Sequence, residues 1–353
     1  MERLKLFFIA EIILLISMLI EQYKIKYKNI CLTISGSFLI FLISIRKNTP
    51  DLKIYEIVYY YPERYEVEKG HIFLQNIFKI LKIDFRYFIV FIAFITIILL
   101  YKGFNSLTNF PNSAMFIYMA YSFLEKPYIQ IRNALSIAIF LNVLPLIIKK
   151  EKLKSLLGIL ISVFFHITSY FYFFVEVFIF FNINFNKKKI KKLFLFTLIL
   201  SIAIYFINII PLLIKISYLN LGRISERIQI YFLSTNSKEY IGSIKLGIRG
   251  LFSPIIYIFY YIKIMYLERY FYNNIQKEKF VFFLLSFSVL FRILSYKIEI
   301  FTRMVGAFDF SETLALVLIL ELKNKYIKFI YIIFIIVYVF LSNYVSGKKL
   351  NLW

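Results

Sequence analysis

The chain has 353 residues, 61% of them hydrophobic and only 18% charged, with a net charge of +23. A soluble domain carries about a quarter charged residues, and here the apolar residues fall in long runs with no alternation. This excludes a soluble enzyme and predicts an all-α fold: a polytopic transmembrane helical bundle of about 12 helices, with residues 1–353 forming a single integral membrane domain. The positive charge then belongs to lysine-rich cytoplasmic loops and anionic lipid, not to nucleic acid.

In chain order, apolar runs cover residues 4–20, 30–45, 87–101, 113–124, 131–148, 193–210, 247–266, 280–296, 304–320 and 327–342. The first begins like a signal peptide, but no small-x-small cleavage site follows, so it reads as a retained helix. The lone cysteine, Cys31, lies inside an apolar run and reads as a small buried residue.

The run 155–181 is about 27 residues long and is bracketed by Lys149–Lys154 on one side and Lys187–Lys192 on the other. Both lysine clusters favour the cytoplasm, and one span cannot serve both. Two short helices turning near His166 can. That places segments 21–29, 149–154, 182–192, 267–279 and 321–328 inside, and both termini and segments 46–86, 125–131, 211–246 and 297–303 outside.

Two of those outer segments are long. In 46–86, Phe73, Leu74, Ile77, Ile80 and Leu81 recur at helical spacing opposite Gln75, Asn76, Lys79 and Lys82. This predicts an interfacial amphipathic helix. In 211–246, LGRISERIQIYF precedes a polar stretch suited to a mobile lid.

No phosphate-binding loop, dinucleotide fingerprint, metalloprotease motif, nucleophile elbow or paired-cysteine motif occurs. No cofactor and no metal is therefore expected. What stands out is arginine at helix ends and in outer segments: Arg46, Arg132, Arg223, Arg227, Arg249, Arg292 and Arg303. A guanidinium offers a planar fork to phosphate oxygens and stays charged when partly buried. Arg132 has apolar residues on both sides. For proton transfer the candidates are His166, Asp51, Glu56, Glu68 and Glu299, histidine having the side-chain pKa nearest neutrality. A hydrogen-bonded structural role for His166, and solvated or salt-bridged roles for the others, stand beside these readings. Glu176 lies within an apolar helix and suits a lysine or another helix as partner.

Three stretches carry a family pattern. The first holds Arg46, Asp51, Tyr55 and then Glu68-Lys69-Gly70 before the amphipathic stretch. The second is IRNALSIAIFLNVLPLIIKKEK followed by LLGILISVFFHITSYFYF, with Arg132 and His166. The third is FRILSYKIEIFTRMVGAF, with Arg292 and Arg303. The arrangement resembles the EpsG family of the Wzy-type polysaccharide polymerases, although that family more often has Arg-Gln where this chain has Arg132-Asn133.

The resemblance implies a bacterial cytoplasmic-membrane glycosyltransferase that joins undecaprenyl-diphosphate-linked oligosaccharide repeat units on the outer face. It would need no metal or nucleotide, and a chain-length regulator and a flippase would be further partners. Arg132, His166, Asp51 and Glu68 would be catalytic. Arg46, Arg223, Arg227, Arg249, Arg292, Arg303 and Tyr55 would bind diphosphate and sugar. Two alternatives stay open: a flippase for the same lipid-linked sugar, and a ligase-like glycan transferase or acyltransferase. No pairing of two halves, as in many transporters, is visible in the sequence.

Overall fold

The computed structural model describes residues 2–46, 49–64, 67–180, 185–206, 215, 248–267, 275–295 and 300–349. These fold into fourteen α-helices without strands. In order they are α1 (Glu2–Tyr23), α2 (Lys28–Ser44), α3 (Pro50–Tyr60), α4 (Lys69–Ile80), α5 (Phe85–Leu107), α6 (Pro111–Tyr118), α7 (Ile131–Ile148), α8 (Lys152–Phe165), α9 (Tyr172–Phe180), α10 (Lys187–Phe206), α11 (Ile248–Tyr266), α12 (Ile275–Ser295), α13 (Ile300–Ile319) and α14 (Lys325–Lys349). Among the described residues four segments are long and apolar enough to cross a membrane: Lys5–Tyr23, Phe85–Leu107, Ile131–Ile148 and Lys325–Ser346. Lys28–Ser44 and Phe252–Tyr266 are shorter apolar helices. These are the helices of a membrane protein.

The helices form two compact units. One comprises Met1–Ile183, Arg269–Lys277 and Leu316–Trp353; the other comprises Asn184–Glu268 and Glu278–Ala315. In the first unit, α5 and α7 pack closely because Gly103 faces Leu141, where a Cβ would come within 2.7 Å of the leucine Cγ. On the next face of α7, Gly158 of α8 sits against Val143, at 2.4 Å for a notional Cβ. Tyr55, Tyr59, Phe85, Phe88, Ile89, Ile92, Ile131 and Leu135 knit α3, α5 and α7 into one apolar core.

The run at 113–124 becomes the eight-residue α6 and a π-helical turn, Met119–Phe123, rather than a straight span. The start of α6 is buried, and its exposed-end amides need acceptors. Glu21 of α1 supplies them, accepting from the backbone N–H and side chain of both Asn112 and Ser113 at 2.9–3.0 Å.

The run at 155–181 breaks where the lysine clusters demand it. Helix α8 stops at His166, whose backbone is extended (φ −157°, ψ 134°). A 3-10 turn, Ile167–Phe171, follows and leads into α9. Ser155, near the start of α8, donates to Glu176 of α9 at 2.7 Å, so the two helices run back along each other as a hairpin. The turn is pinned to α7 by three buried hydroxyls. Ser136 meets both Ser162 and Ser169, and Ser162 donates to the carbonyl of Ser136 at 2.8 Å.

In the second unit α10 and α11 meet through a ring stack, Phe194 on Tyr261 at 3.9 Å. Tyr257 stacks on Phe282 of α12 at 4.8 Å. Lys263 and Glu278 form a buried ion pair at 2.8 Å.

Candidate functional site

The first unit gathers most of the residues singled out in the sequence. Helix α4 begins at Glu68, whose backbone carbonyl accepts the first helical N–H groups while its carboxylate makes no capping bond. A free acceptor at that position ordinarily satisfies the helix amides. Here the carboxylate turns away and pairs with Arg132, one residue into α7. Its other oxygen lies 3.9 Å from His166 Nε2, at ion-pair distance. Arg132 and His166, 34 positions apart in sequence, thus converge on one carboxylate.

Gly70 makes this approach possible. A Cβ there would lie 2.6 Å from the carbonyl oxygen of Phe164, the residue two before His166. That wall is backbone and cannot step aside, so only glycine brings α4 this close to the end of α8.

His166 is held by its neighbours. The backbone N–H of Thr168 donates to Nδ1 at 3.3 Å, and the Thr168 hydroxyl lies 2.7 Å from the same nitrogen. Thr168 also reaches Asn133 at 3.4 Å, Asn133 donates to Gln130 at 3.2 Å, and Lys126 donates to Gln130 at 2.9 Å. Asn133, the departure from the usual Arg-Gln pair, therefore ties α7 to the histidine turn. A carboxylate opposite Nε2 favours a proton on that nitrogen, whether the ring is neutral or charged.

Behind the pair lies Tyr55. The Arg132 guanidinium sits over its ring at 5.3 Å, and its hydroxyl donates to Asp51 at 3.2 Å. Burial pushes the Tyr55 phenol upward, so it stays protonated and able to donate. Arg46 is 3% exposed and donates from Nη1 to the carbonyls of Pro127 and Tyr128, at 3.2 and 2.8 Å. Its Nε and Nη2 have no partner, nor does Arg132 Nε. Burial lowers the Arg46 pKa to about 10, which leaves it fully charged at neutral pH. A buried, charged guanidinium with three of its five N–H donors unused is a place for an anion.

The EpsG family profile matches residues 29–353. The chain belongs to the EpsG family. That family is associated with polysaccharide polymerase-like proteins. No curated protein and no solved structure matches the chain.

Other residues of the EpsG pattern lie elsewhere. Arg292, in the second unit, pairs with Asp309 at 2.7 Å and with Glu312 at 2.9 Å. Ser253 and Ser288 each donate to the same Glu312 oxygen at 2.7 Å. Glu56 is exposed on α3. Arg223, Arg227 and Glu299 lie outside the described residues, as does most of segment 211–246; Arg249 and Arg303 lie on α11 and α13 with side chains outside them.

Sequence reasoning missed Asp309 and Glu312, although two carboxylates three apart in an otherwise apolar helix are a signal in themselves. It also missed the buried face of α4. The helix exists where the periodicity puts it, but Phe73, Ile77, Ile80 and Leu81 are exposed, Ile80 at 80%, while Gly70, His71 and Gln75 face inward.

Proposed function

We propose that this EpsG-family chain is a polymerase that joins lipid-diphosphate-linked repeat units at the outer face of the bacterial cytoplasmic membrane. The observation that carries this reading is the convergence of Arg132 and His166 on Glu68, with the partly unpaired Arg46 acting electrostatically on the same Tyr55 whose ring lies under Arg132. Two guanidinium groups and an imidazole N–H match the oxygens of a diphosphate.

In this mechanism the donor's diphosphate takes over Arg132, and Glu68 is released. The freed carboxylate accepts the proton of the acceptor hydroxyl as that oxygen attacks the donor's anomeric carbon. The bond from that carbon to the diphosphate breaks, and the diphosphate leaves with the electron pair, its charge held by Arg132, Arg46 and His166. Tyr55 and Asp51 fix the Arg132 guanidinium from behind. Diphosphate is already a good leaving group, so the reaction proceeds without nucleotide or metal. About 12 spanning helices are proposed for the whole chain, the shorter apolar helices crossing with tilt or in pairs. A flippase that delivers the units and a chain-length regulator are the proposed partners.

The test is turnover by the purified chain in detergent with lipid-linked repeat units. Wild type is expected to yield a ladder of longer glycans. Arg132→Ala and His166→Ala are each expected to lower the rate at least about 100-fold while still inserting in membranes. A wild-type protein that moves these lipids between leaflets but makes no ladder would overturn the polymerase reading in favour of a flippase.

A further inference from the structure

The inner face of α4 is built against the usual logic of a buried helix face. His71 is 1% exposed and Gln75 is fully buried, yet neither ring nitrogen of His71 and neither amide atom of Gln75 has a hydrogen-bond partner. Each such orphan loses its hydration without a replacement bond and so destabilises the fold. Leucine or phenylalanine at these positions would cost nothing. Leu74 and Phe78 of the same helix do pack on the apolar core, so His71 and Gln75 are the polar exceptions on its inner side, while Phe73, Ile77 and Ile80 face outward.

The orphans also have a definite neighbourhood. The His71 ring lies 6.0 Å from the ring of Tyr55 and 5.2 Å, edge on, from Phe88. Tyr55 in turn carries the Arg132 guanidinium. Gln75 follows His71 by one helical turn on the same face. Two ring nitrogens, an amide N–H₂ and an amide oxygen offer both donors and acceptors. A hydroxyl needs both, since it donates once and accepts twice; a phosphate would call for donors alone.

We infer that His71 and Gln75 form a glycan subsite, binding the hydroxyls of the sugar next to the diphosphate held by Arg132. This rests on the diphosphate reading above and extends it to sugar recognition. Entry of the sugar requires α4 to move off the core, and two features suit that motion. The helix is fastened at its start by the Glu68–Arg132 pair, which an incoming diphosphate displaces. Its outward face, with Phe73, Ile77, Ile80 and Leu81, is fit to slide in the lipid interface.

The experiment compares wild type, His71→Phe, Gln75→Met and the double variant as full-length chains in detergent. Binding is measured to two probes: bare undecaprenyl diphosphate, and lipid-linked repeat units extracted from the source cells. Wild type is expected to favour the glycan-bearing probe at least about tenfold, the worth of one good hydrogen bond. The double variant is expected to lose that preference, to bind the bare lipid as wild type does, and to unfold at an equal or higher temperature. A double variant that keeps the preference, or that unfolds at a lower temperature, overturns the subsite. So does a wild type that binds both probes equally. Wild-type binding of neither probe would instead sink the diphosphate reading, and the subsite with it.

Discussion

Each compact unit buries an arginine against carboxylates, and the two are finished differently. In the second unit Arg292 meets Asp309 and Glu312, and Ser253 and Ser288 complete the shell, leaving one oxygen of Glu312 unmatched. In the first unit Arg132 has one carboxylate, Glu68, and its own Nε has no partner, nor do Nε and Nη2 of Arg46 or either ring nitrogen of His71, the two groups linked to it through Tyr55. Carboxylates and hydroxyls gathered on both sides of the guanidinium are what stability asks of a buried charge. An open shell is retained where something else is to complete it. On the proposed function, the comparison separates an arginine that holds the fold from one that a diphosphate would complete, although both stand in the same family pattern.

The largest effect that would sharpen this contrast is on stability. Arg292→Ala leaves two carboxylates buried and uncompensated, and is expected to destabilise the chain by about 3–5 kcal/mol in a denaturant titration. Arg132→Ala, whose partner Glu68 is partly exposed, is expected to cost about 1 kcal/mol or less. Equal losses would break the distinction.

Next in size is Gly70→Ala. The new Cβ meets the Phe164 carbonyl, so α4 must back away and take Glu68 with it. The expected cost is about 1–3 kcal/mol, with a loss of glycan synthesis disproportionate to it. A fully active Gly70→Ala variant would show that the close approach is not needed.

A third effect concerns pH. Burial, with the Arg132 charge adding to it, lowers the His71 pKa from 6.5 to about 3. The unfolded chain takes up a proton below pH 6.5 that the folded chain refuses until about pH 3. Stability from this group is therefore complete above pH 6.5 and falls with decreasing pH, by up to about 1.4 kcal/mol per unit. His71→Phe is expected to flatten that part of the stability profile. An unchanged slope would mean that the ring is not dry.

The smallest concerns helix ends. Lys82 closes α4 with a left-handed backbone (φ 54°) and Ile83 N–H bonded to the Phe78 carbonyl at 2.9 Å. Glycine adopts that conformation without strain. Lys82→Gly is expected to raise stability by about 1 kcal/mol, read as a higher melting temperature in detergent.

Much of this was legible in the residues. The lysine clusters around 155–181 demanded a break at His166, since charge placement depends on sequence alone. The amphipathic period of α4 was legible too, but not which face turns inward. Periodicity defines an axis; only the surrounding solvent says which side is out, and lipid reverses the answer that water gives. Glu68 was visible as a carboxylate before a helix, yet its pairing was not, because the usual fate of a residue there is to cap its own helix. Asp309 and Glu312 were hidden by a focus on cations, although a buried guanidinium in an apolar helix implies a counter-charge nearby.

The knot of Ser136, Ser162 and Ser169 has a mechanical consequence. Because it rivets the histidine bend to the helix that bears Arg132, the imidazole and the guanidinium are carried on one hydrogen-bonded body. The opposite jaw is the short helix α4, whose Glu68 carboxylate pairs with Arg132 and accepts from the Ile167 N–H, and whose Leu74 and Phe78 rest on the apolar core. Loosening that rivet, with Ser136→Ala and Ser169→Ala together, would blur the spacing of the imidazole and the guanidinium even with both side chains intact.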